Sequence, residues 1–251
     1  VRGVDIDTSF FTGNFPEKAS IEACDVAKAV NPKTADKQPW SSILSPVLLA
    51  GDAHNRFQVL INRAVTHLRF HIYPDGGVAR LRVYGEVAVD WTKKKGLVDL
   101  AAMENGGRAL LASDEHFGVK NNLLLPGRAP NMDEGWQSRR RRGPGHDWVI
   151  LRLGAPGHLE KVEIDTNHFK GNYPDTASLE GAYAPGATVD DFANNRVPFV
   201  PLLPAQKLRP HRRHLIGKGL AKHAVLTHVR LKIFPDGGVS RLRLCGRPRQ
   251  G

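Results

Sequence analysis

Two blocks of this sequence occur twice, in the same order along the chain. Residues 4–23 return as residues 162–181 with 11 of 20 positions identical, and residues 66–85 return as residues 227–246 with 13 of 20 identical. The copies are offset by about 160 residues, which is far too long for a solenoid repeat and is the size of a whole domain. The chain is therefore predicted to contain two copies of one domain.

The two copies are preceded by unequal lengths of chain. About sixty residues, reaching back to Asp99, precede Ile164 in the second copy, whereas five residues precede Ile6 in the first. We therefore place the first domain, together with the linker that follows it, at residues 1–98 and the second domain at residues 99–251. The first domain is expected to be truncated at its N-terminus and to lack its opening strands, and the missing piece should resemble residues 103–159.

The composition is that of a globular protein, with 41% hydrophobic and 24% charged residues. No apolar run approaches the roughly eighteen residues that a membrane-spanning helix needs, so we predict no membrane insertion. No targeting segment is visible in the sequence, and we predict a cytoplasmic location on that ground.

The formal net charge is +11, and arginine is concentrated at residues 139–142 and 209–213. Both clusters could neutralise phosphates, but no groove-reading helix, zinc module or aromatic-rich RNA-binding strand accompanies them. We therefore predict no nucleic-acid partner. Such runs more commonly form a solvated face or an anion site, and a guanidinium group binds carboxylates as well as phosphates.

Local patterns indicate strands. Apolar residues occupy every second position in residues 68–72 and again in 229–233, and Pro-Asp-Gly-Gly follows each run, which predicts a hairpin in each copy. Residues 149–153 and 162–164 are predicted as short strands around a Gly-Ala-Pro-Gly turn, and residues 97–103 as one short helix. Many short strands with frequent turns predict an all-β fold of two β-sandwich domains.

Five motifs, in order, resemble those of the allantoicase family, the allantoate amidinohydrolases of purine breakdown. They are Asp-Thr-Ser-Phe-Phe-Thr-Gly-Asn-Phe-Pro at 7–16, Tyr-Pro-Asp-Gly-Gly-Val-Ala-Arg-Leu-Arg at 73–82, Ser-Asp-Glu-His-Phe-Gly at 113–118, Asn-Met-Asp-Glu-Gly-Trp-Gln-Ser followed by four arginines at 131–142, and Gly-His-Asp-Trp-Val-Ile at 145–150. The resemblance covers essentially the whole chain. It implies tandem jelly-roll β-sandwich domains that resemble galactose-binding modules.

The resemblance further implies hydrolysis of allantoate, a small anionic substrate, to (S)-ureidoglycolate and urea by a homo-oligomer. Such a site needs a cation for the substrate carboxylate, polar partners for its ureido groups and a proton-transfer residue. The sequence contains no His-Glu-x-x-His, no Cys-x-x-Cys and no calcium-loop pattern, so we predict no metal and no cofactor.

Carboxylates retained in both copies are the first candidates for this site. Glu22 and Glu180, each at the end of an Ala-Ser-x-Glu block, are predicted catalytic carboxylates, although a shared structural role explains their retention equally well. Asp7 and Asp165 are candidates for substrate binding, with a turn cap as the alternative.

Residues that differ between copies are more informative, because a site in one domain needs asymmetry whereas a fold does not. His71 stands where the second copy has Lys232, and His168 stands where the first has Phe10. Both are candidate proton-transfer groups, with a solvated surface histidine as the alternative.

The remaining candidates lie in the family motifs. His116, and by similar reasoning His146, are candidate acid–base groups. Arg139, Arg140 and Arg141 are candidates for binding the substrate carboxylate. The side chains of Asn14 and Asn172 are candidates for holding a ureido group, although both residues are expected in tight turns.

One alternative from another functional class stays open. A non-catalytic tandem binding module of the galactose-binding type would use the same fold, because fold alone does not determine function. The length of the shared motifs favours the enzyme.

Overall fold

The computed structural model describes residues 1–26, 30–31 and 33–249, and its regular structure consists almost entirely of β-strands. The chain divides into two compact units, residues 1–88 and residues 89–251. Residues 89–98, which the repeat comparison placed with the first domain, are thus in the second unit. Within the described part of the chain, no helix is long and apolar enough to cross a membrane.

The first unit is a sandwich of two antiparallel sheets with three strands each. Its strands are β1 (Gly3–Asp7), β2 (Lys18–Cys24), β3 (Ser41–Leu48), β4 (His54–Gln58), β5 (His67–Tyr73) and β6 (Arg80–Tyr84). One sheet has the order β4-β1-β6 and the other β3-β2-β5. Val4 of the first sheet and Ile21 of the second are buried in one apolar cluster, so the two sheets pack face to face. The absence of opening strands from this domain stays a prediction.

The second unit repeats this plan with more strands. They are β7 (Val98–Asp99), β8 (Arg108–Ala112), β9 (Trp136–Gln137), β10 (Asp147–Asp165), β11 (Thr176–Ala182), β12 (Val200–Lys207), β13 (Arg213–Ile216), β14 (Leu226–Phe234), β15 (Gly238–Val239) and β16 (Arg241–Pro248). One five-residue helix, α1 (Val189–Ala193), begins at a capping box formed by Thr188 and Asp191. A buried core contains Trp136, Leu151 and Leu242. The all-β jelly-roll prediction is confirmed.

The long strand β10 connects two groups of strands within the eight-stranded sheet of the second unit. Its first half pairs with β14 and β8, and its second half pairs with β16 and β13. The prediction of a Gly-Ala-Pro-Gly turn between two separate strands is therefore wrong. The segment forms irregular strand with shifts in register, and its glycines lie against neighbouring backbone: a Cβ on Gly154 would be 1.8 Å from the carbonyl oxygen of Asn105.

Among the described residues, the strands on either side of each Pro-Asp-Gly-Gly segment do not pair with each other, so the hairpin prediction is wrong. In the first unit the segment crosses from one sheet to the other. β5 pairs with β2, whereas β6 pairs with β1. Backbone groups of the connection bond to other segments: the Gly77 N–H donates to the Asn14 carbonyl at 2.7 Å, and the Ala79 N–H donates to the Asp7 carbonyl at 2.8 Å. A Cβ on Gly77 would lie 1.9 Å from the ring of Phe11, so this close approach requires glycine.

The short helix predicted at residues 97–103 is not formed. Residues 98–99 form β7, which pairs with β16, and a 3-10 turn follows at Met103–Asn105. The side chain of Asp99 explains the difference, because it accepts the N–H groups of Ala101 and Leu244 and so favours a turn over a helix.

Candidate functional site

Three polar side chains meet on the outer face of the first unit, and we call them the Glu22 cluster: Glu22, Arg69 and His71. Strands β2 and β5 are adjacent and pair Glu22 with Arg69, while side chains two residues apart point to the same face. The Nε2 atom of His71 lies 2.8 Å from Glu22 Oε2, and Arg69 Nη2 lies 2.6 Å from the same oxygen. All three side chains are partly exposed.

The electrostatics keep Glu22 ionised. The hydrogen bond from His71, followed by that from Arg69, holds the pKa of Glu22 below its usual value. The guanidinium group of Arg69 is fixed by a further bond to Asp36 at 3.0 Å and by the ring of Trp40, 4.7 Å away. An ionised carboxylate that holds one nitrogen of a partly exposed imidazole leaves the other nitrogen available for proton transfer.

The second unit retains the carboxylate and the arginine of this cluster but not the imidazole. Arg230 Nη2 lies 2.5 Å from Glu180, and Lys232 Nζ lies 3.1 Å from it. The ring of Phe199 covers Arg230 as Trp40 covers Arg69. Burial raises the pKa of Glu180, but the hydrogen bonds from Arg230 and Lys232 outweigh it, so that the pKa is lowered. The paired carboxylate of this copy braces two strands.

Residues 139–143 line a polar cavity of about 350 Å³ in the second unit, which we call the arginine cavity. Ser113, Asp114 and Asp147 complete its lining. Asp147 is buried, and its Oδ1 accepts hydrogen bonds from Arg141 Nη2 at 2.6 Å and from Ser113 Oγ at 3.0 Å. The backbone N–H of Arg141 donates to Asp236 at 2.9 Å. Arg141 is thus fixed at both its backbone and its side chain.

Two predicted residues from different motifs meet beside this cavity. Arg139 Nη2 lies 3.1 Å from His116 Nδ1, and the carboxylate of Asp114 accepts the backbone N–H groups of both residues. Burial raises the pKa of Asp114, but these N–H groups and the positive charge of Arg139 outweigh it, so that the pKa is lowered. The imidazole of His146 packs 4.9 Å from Phe234, and burial, followed by the charge of Lys232, lowers the pKa of His146.

The predicted asparagines occupy equivalent positions in the two copies. The Asn14 carbonyl accepts the Gly77 N–H, and the Asn172 carbonyl accepts the Gly238 N–H at 2.8 Å. Their backbone groups thus anchor the two Pro-Asp-Gly-Gly segments. Asn172 also lines a second cavity, of about 610 Å³, whose lining includes residues 140 and 141.

The predicted aspartates lie inside the sandwiches. Asp7 is buried and accepts bonds from Ser9, which hold its pKa well below the usual range, and from Arg82 at 2.9 Å. Asp165 is fully buried and accepts the N–H of Asn167 at 2.9 Å. Each side chain caps the turn that follows its strand.

His168 lies on the loop after β10 in a left-handed backbone conformation, with φ at 68°. Its Nε2 is 3.0 Å from the Ala129 carbonyl, and its backbone N–H donates to His211 Nδ1 at 2.9 Å. Phe10 has the same conformation in the first unit, and its N–H donates to Asp52. The loop geometry is therefore shared, and only its side chains differ.

Four residues next to the predicted ones are not predicted from the sequence: Ser113 and Asp147, which line the arginine cavity, and Ser20 and Tyr73, whose hydroxyl groups are 3.0 Å apart beside the ring of His71. Ser113 and Asp147 stand inside two of the motifs already noted, and Tyr73 differs from its repeat counterpart Phe234. The comparison between copies that selected His71 would have selected Tyr73 as well. Across residues 1–26, 30–31 and 33–249, no three His, Cys, Asp or Glu side chains are grouped as metal ligands.

Comparison with known proteins places both units in one family. The family model described as "Allantoicase repeat" matches residues 1–88 and 98–249. A probable allantoicase of Pseudomonas fluorescens (strain SBW25) is 52% identical over 98% of this chain and 74% of its own length. A probable allantoicase of Stutzerimonas stutzeri (strain A1501) is 53% identical, with the same two coverages. The crystal structure of allantoicase from Saccharomyces cerevisiae superposes with a TM-score of 0.81 at 34% identity, covering 98% of this chain and 73% of that one.

Proposed function

The chain belongs to the allantoicase family, and we propose that it hydrolyses allantoate to (S)-ureidoglycolate and urea. The identity of about half of all positions extends over both units and not only over the shared fold. That extent supports the enzyme over a tandem binding module, which would need only the sandwich architecture.

The reaction sets the requirements of the site. The bond between the central carbon of allantoate and one ureido nitrogen breaks, and a bond from that carbon to a water oxygen forms. One proton of the water ends on the leaving nitrogen, and the other stays on the new hydroxyl group. Urea is a poor leaving group unless its nitrogen gains that proton. The site must therefore transfer a proton and hold an anionic substrate.

The Glu22–His71 contact at 2.8 Å is the observation that best supports a site for proton transfer. In this proposal His71 exchanges the proton through Nδ1, while the ionised Glu22 fixes the orientation of the ring. Arg69 holds the carboxylate in place. The second unit offers only Lys232 at the position of His71, so we propose that Glu180 is structural.

The arginine cavity is the rival location. It offers guanidinium groups for the substrate carboxylate and the imidazole of His116 next to Arg139. Arg141 is already paired with Asp147, which leaves the exposed Arg140 and Arg142 as the cations best placed to bind an added anion.

Urea release from allantoate by variants of the two repeats tests the assignment. Loss of a proton-transfer group typically lowers kcat by about 10²- to 10⁴-fold. We expect this loss for His71→Asn and a large part of it for Glu22→Gln, whereas the matched variant Glu180→Gln should change kcat less than about threefold, since it only weakens a brace. Melting curves identify any variant that does not fold.

The opposite pattern would move the site to the second unit. If His71→Asn is fully active and His116→Asn is not, the arginine cavity carries the reaction. If the wild-type chain binds allantoate in calorimetry without turnover, the binding-module alternative is favoured. The homo-oligomer and the cytoplasmic location stay predictions, and light scattering on the purified chain tests the first.

A further inference from the structure

The outer face that carries the Glu22 cluster has a second pair of polar side chains. Ser20 Oγ and the Tyr73 hydroxyl are 3.0 Å apart, and the rings of Tyr73 and His71 are stacked with centroids 6.4 Å apart. Ser20 is only 7% exposed, whereas Tyr73 is 41% exposed. A buried serine therefore fixes the hydroxyl of an accessible tyrosine beside the proposed proton-transfer group.

The second unit shows that the fold does not need this hydroxyl. Ser178 corresponds to Ser20, but Phe234 stands where the first unit has Tyr73. Strands β11 and β14 nevertheless pair in the same register as β2 and β5: Ser178 lies opposite Lys232 as Ser20 lies opposite His71. An aromatic ring satisfies the packing requirement of this position, and the hydroxyl adds nothing that the sheet requires.

On the face of β5 that carries Arg69, the two repeats differ at two alternate positions. His71 becomes Lys232 and Tyr73 becomes Phe234, and side chains at alternate positions share one face of the sheet. The first unit therefore carries both the imidazole and the phenol on this face and the second unit carries neither, while the carboxylate and the arginine are retained in both repeats. Tyr73 thus belongs with His71 to the groups that distinguish the first unit, and not to the shared bracing contact of Glu22 and Arg69.

We propose that Tyr73 contacts the substrate in the first unit, donating its phenolic hydrogen bond to an oxygen of the ureido group or carboxylate, and that Ser20 positions it. The proposal rests on the proposed function. A phenol is neutral at physiological pH and donates one directed hydrogen bond, which suits the carbonyl oxygen of a ureido group. In this arrangement the Ser20 hydroxyl donates to the phenolic oxygen 3.0 Å away, which leaves the single phenolic hydrogen for the substrate and sets the orientation of the phenol before the substrate arrives.

The test measures kcat and KM for allantoate in the wild-type chain and in Tyr73→Phe, which reproduces the side chain of the second unit. We expect kcat/KM to fall by about 10- to 100-fold, the range for losing one directed donor in an active site. Ser178→Ala is the matched control and should leave kcat/KM unchanged, since its neighbour Phe234 has no hydroxyl. The melting temperature of Tyr73→Phe should stay at the wild-type value.

The positioning role of Ser20 needs a readout that packing alone would not move. Ser20→Ala should lower kcat/KM by about three- to tenfold in the wild-type background and have no further effect in Tyr73→Phe, because both changes remove one interaction. Ser20→Thr, which keeps the hydroxyl, should restore activity. Additive losses in the double variant would overturn the positioning role.

The two proposals fail in different ways. Wild-type kcat/KM in Tyr73→Phe, together with a strong loss in His71→Asn, would overturn the role of Tyr73 and leave the proposed function intact. A wild-type chain that neither turns over nor binds allantoate in calorimetry would overturn both. Loss of activity in Tyr73→Phe with wild-type folding and an active Ser178→Ala control would support both.

Discussion

A buried histidine makes the stability of the second unit depend on pH. His228 is 3% exposed, packs 4.6 Å from the ring of Phe192, and contacts the hydroxyl of Thr227 through Nδ1 at 2.9 Å. Its Nε2 is buried without a hydrogen-bond partner among the described residues. Burial, followed by the positive charge of Arg152, lowers the pKa of His228 to about 4.

The direction of the pH dependence follows from the affinity of His228 for a proton in the folded and the unfolded protein. The folded protein binds the His228 proton more weakly than the unfolded chain, whose histidine pKa is about 6.5, so folding is favoured while the imidazole is neutral. The contribution is complete above pH 6.5 and is lost as the pH falls toward 4. The pKa of His228 differs by about 2.5 between the unfolded and folded states, which corresponds to about 3.4 kcal/mol of unfolding free energy over the whole pH range. About 2 kcal/mol of this is lost between pH 7 and pH 5.

Urea denaturation at pH 7 and pH 5, followed by tryptophan fluorescence, measures this loss. His228→Gln keeps a polar side chain but cannot be protonated, so the unfolding free energy of the second unit should fall by about 2 kcal/mol less than in the wild-type chain over this interval. His67→Gln is the matched control, because His67 occupies the same position in the first repeat and contacts Thr66 in the same way, but is only half-buried.

Other titrating groups contribute equally to the wild-type chain and to His228→Gln, so the difference between the two isolates one side chain. Equal losses of stability between pH 7 and pH 5 in the two proteins would refute the reasoning. If His67→Gln reduced the loss of unfolding free energy between pH 7 and pH 5 as much as His228→Gln does, the effect would not come from the burial of His228.

Two further predictions concern the scaffold. Gly238→Ala should lower the unfolding free energy by about 1 to 3 kcal/mol in urea denaturation, because a Cβ there would lie 1.9 Å from the ring of Phe169. A loss below about 0.5 kcal/mol, which is typical of a surface substitution, would contradict the predicted clash. Arg241→Met should lower the unfolding free energy by about 3 kcal/mol in the same assay, because the buried guanidinium donates hydrogen bonds to the carbonyls of Asn122 and Glu134 at 3.1 and 2.6 Å. An unchanged transition midpoint would show that losing these two hydrogen bonds does not destabilise the fold.

The sequence predicts the strands of this fold better than their connections. Alternating apolar residues identify β5 and β14 correctly, because side chains at alternate positions of each strand, such as Leu68 and Phe70 in β5, pack against an apolar cluster whatever the partner strand is. The segment after each strand looks like a hairpin turn, but its backbone groups bond to the loops at Asn14 and Asn172, far away in the sequence. Local turn residues show that the chain bends and do not show whether it stays in the same sheet.

The same limit applies to the site. Glu22 and His71 are far apart in the sequence, yet both are found by comparing the repeats, and the structure places them 2.8 Å apart. The pairing of Arg141 with Asp147 cannot be predicted from the sequence, because a run of four arginines does not indicate which of them bonds to a buried carboxylate. His116 and Arg139 come together for a similar reason, through backbone bonds to Asp114.

Duplication provides an internal control that a single domain lacks. Each residue shared by the repeats performs its role twice, and the observed contacts of shared residues are mostly structural: the carboxylate of Asp165 caps a turn, and Glu180 braces two strands. A polar side chain that is present in one repeat and missing at the same backbone position of the other is different, because the common fold forms without it. On the face that carries the Glu22 cluster, the changes at positions 71 and 73 replace a paired lysine and an inert ring with two groups that can exchange or donate protons. The asymmetry between the repeats, and not their common residues, is therefore the basis on which we propose the Glu22 cluster as the site of the chemistry.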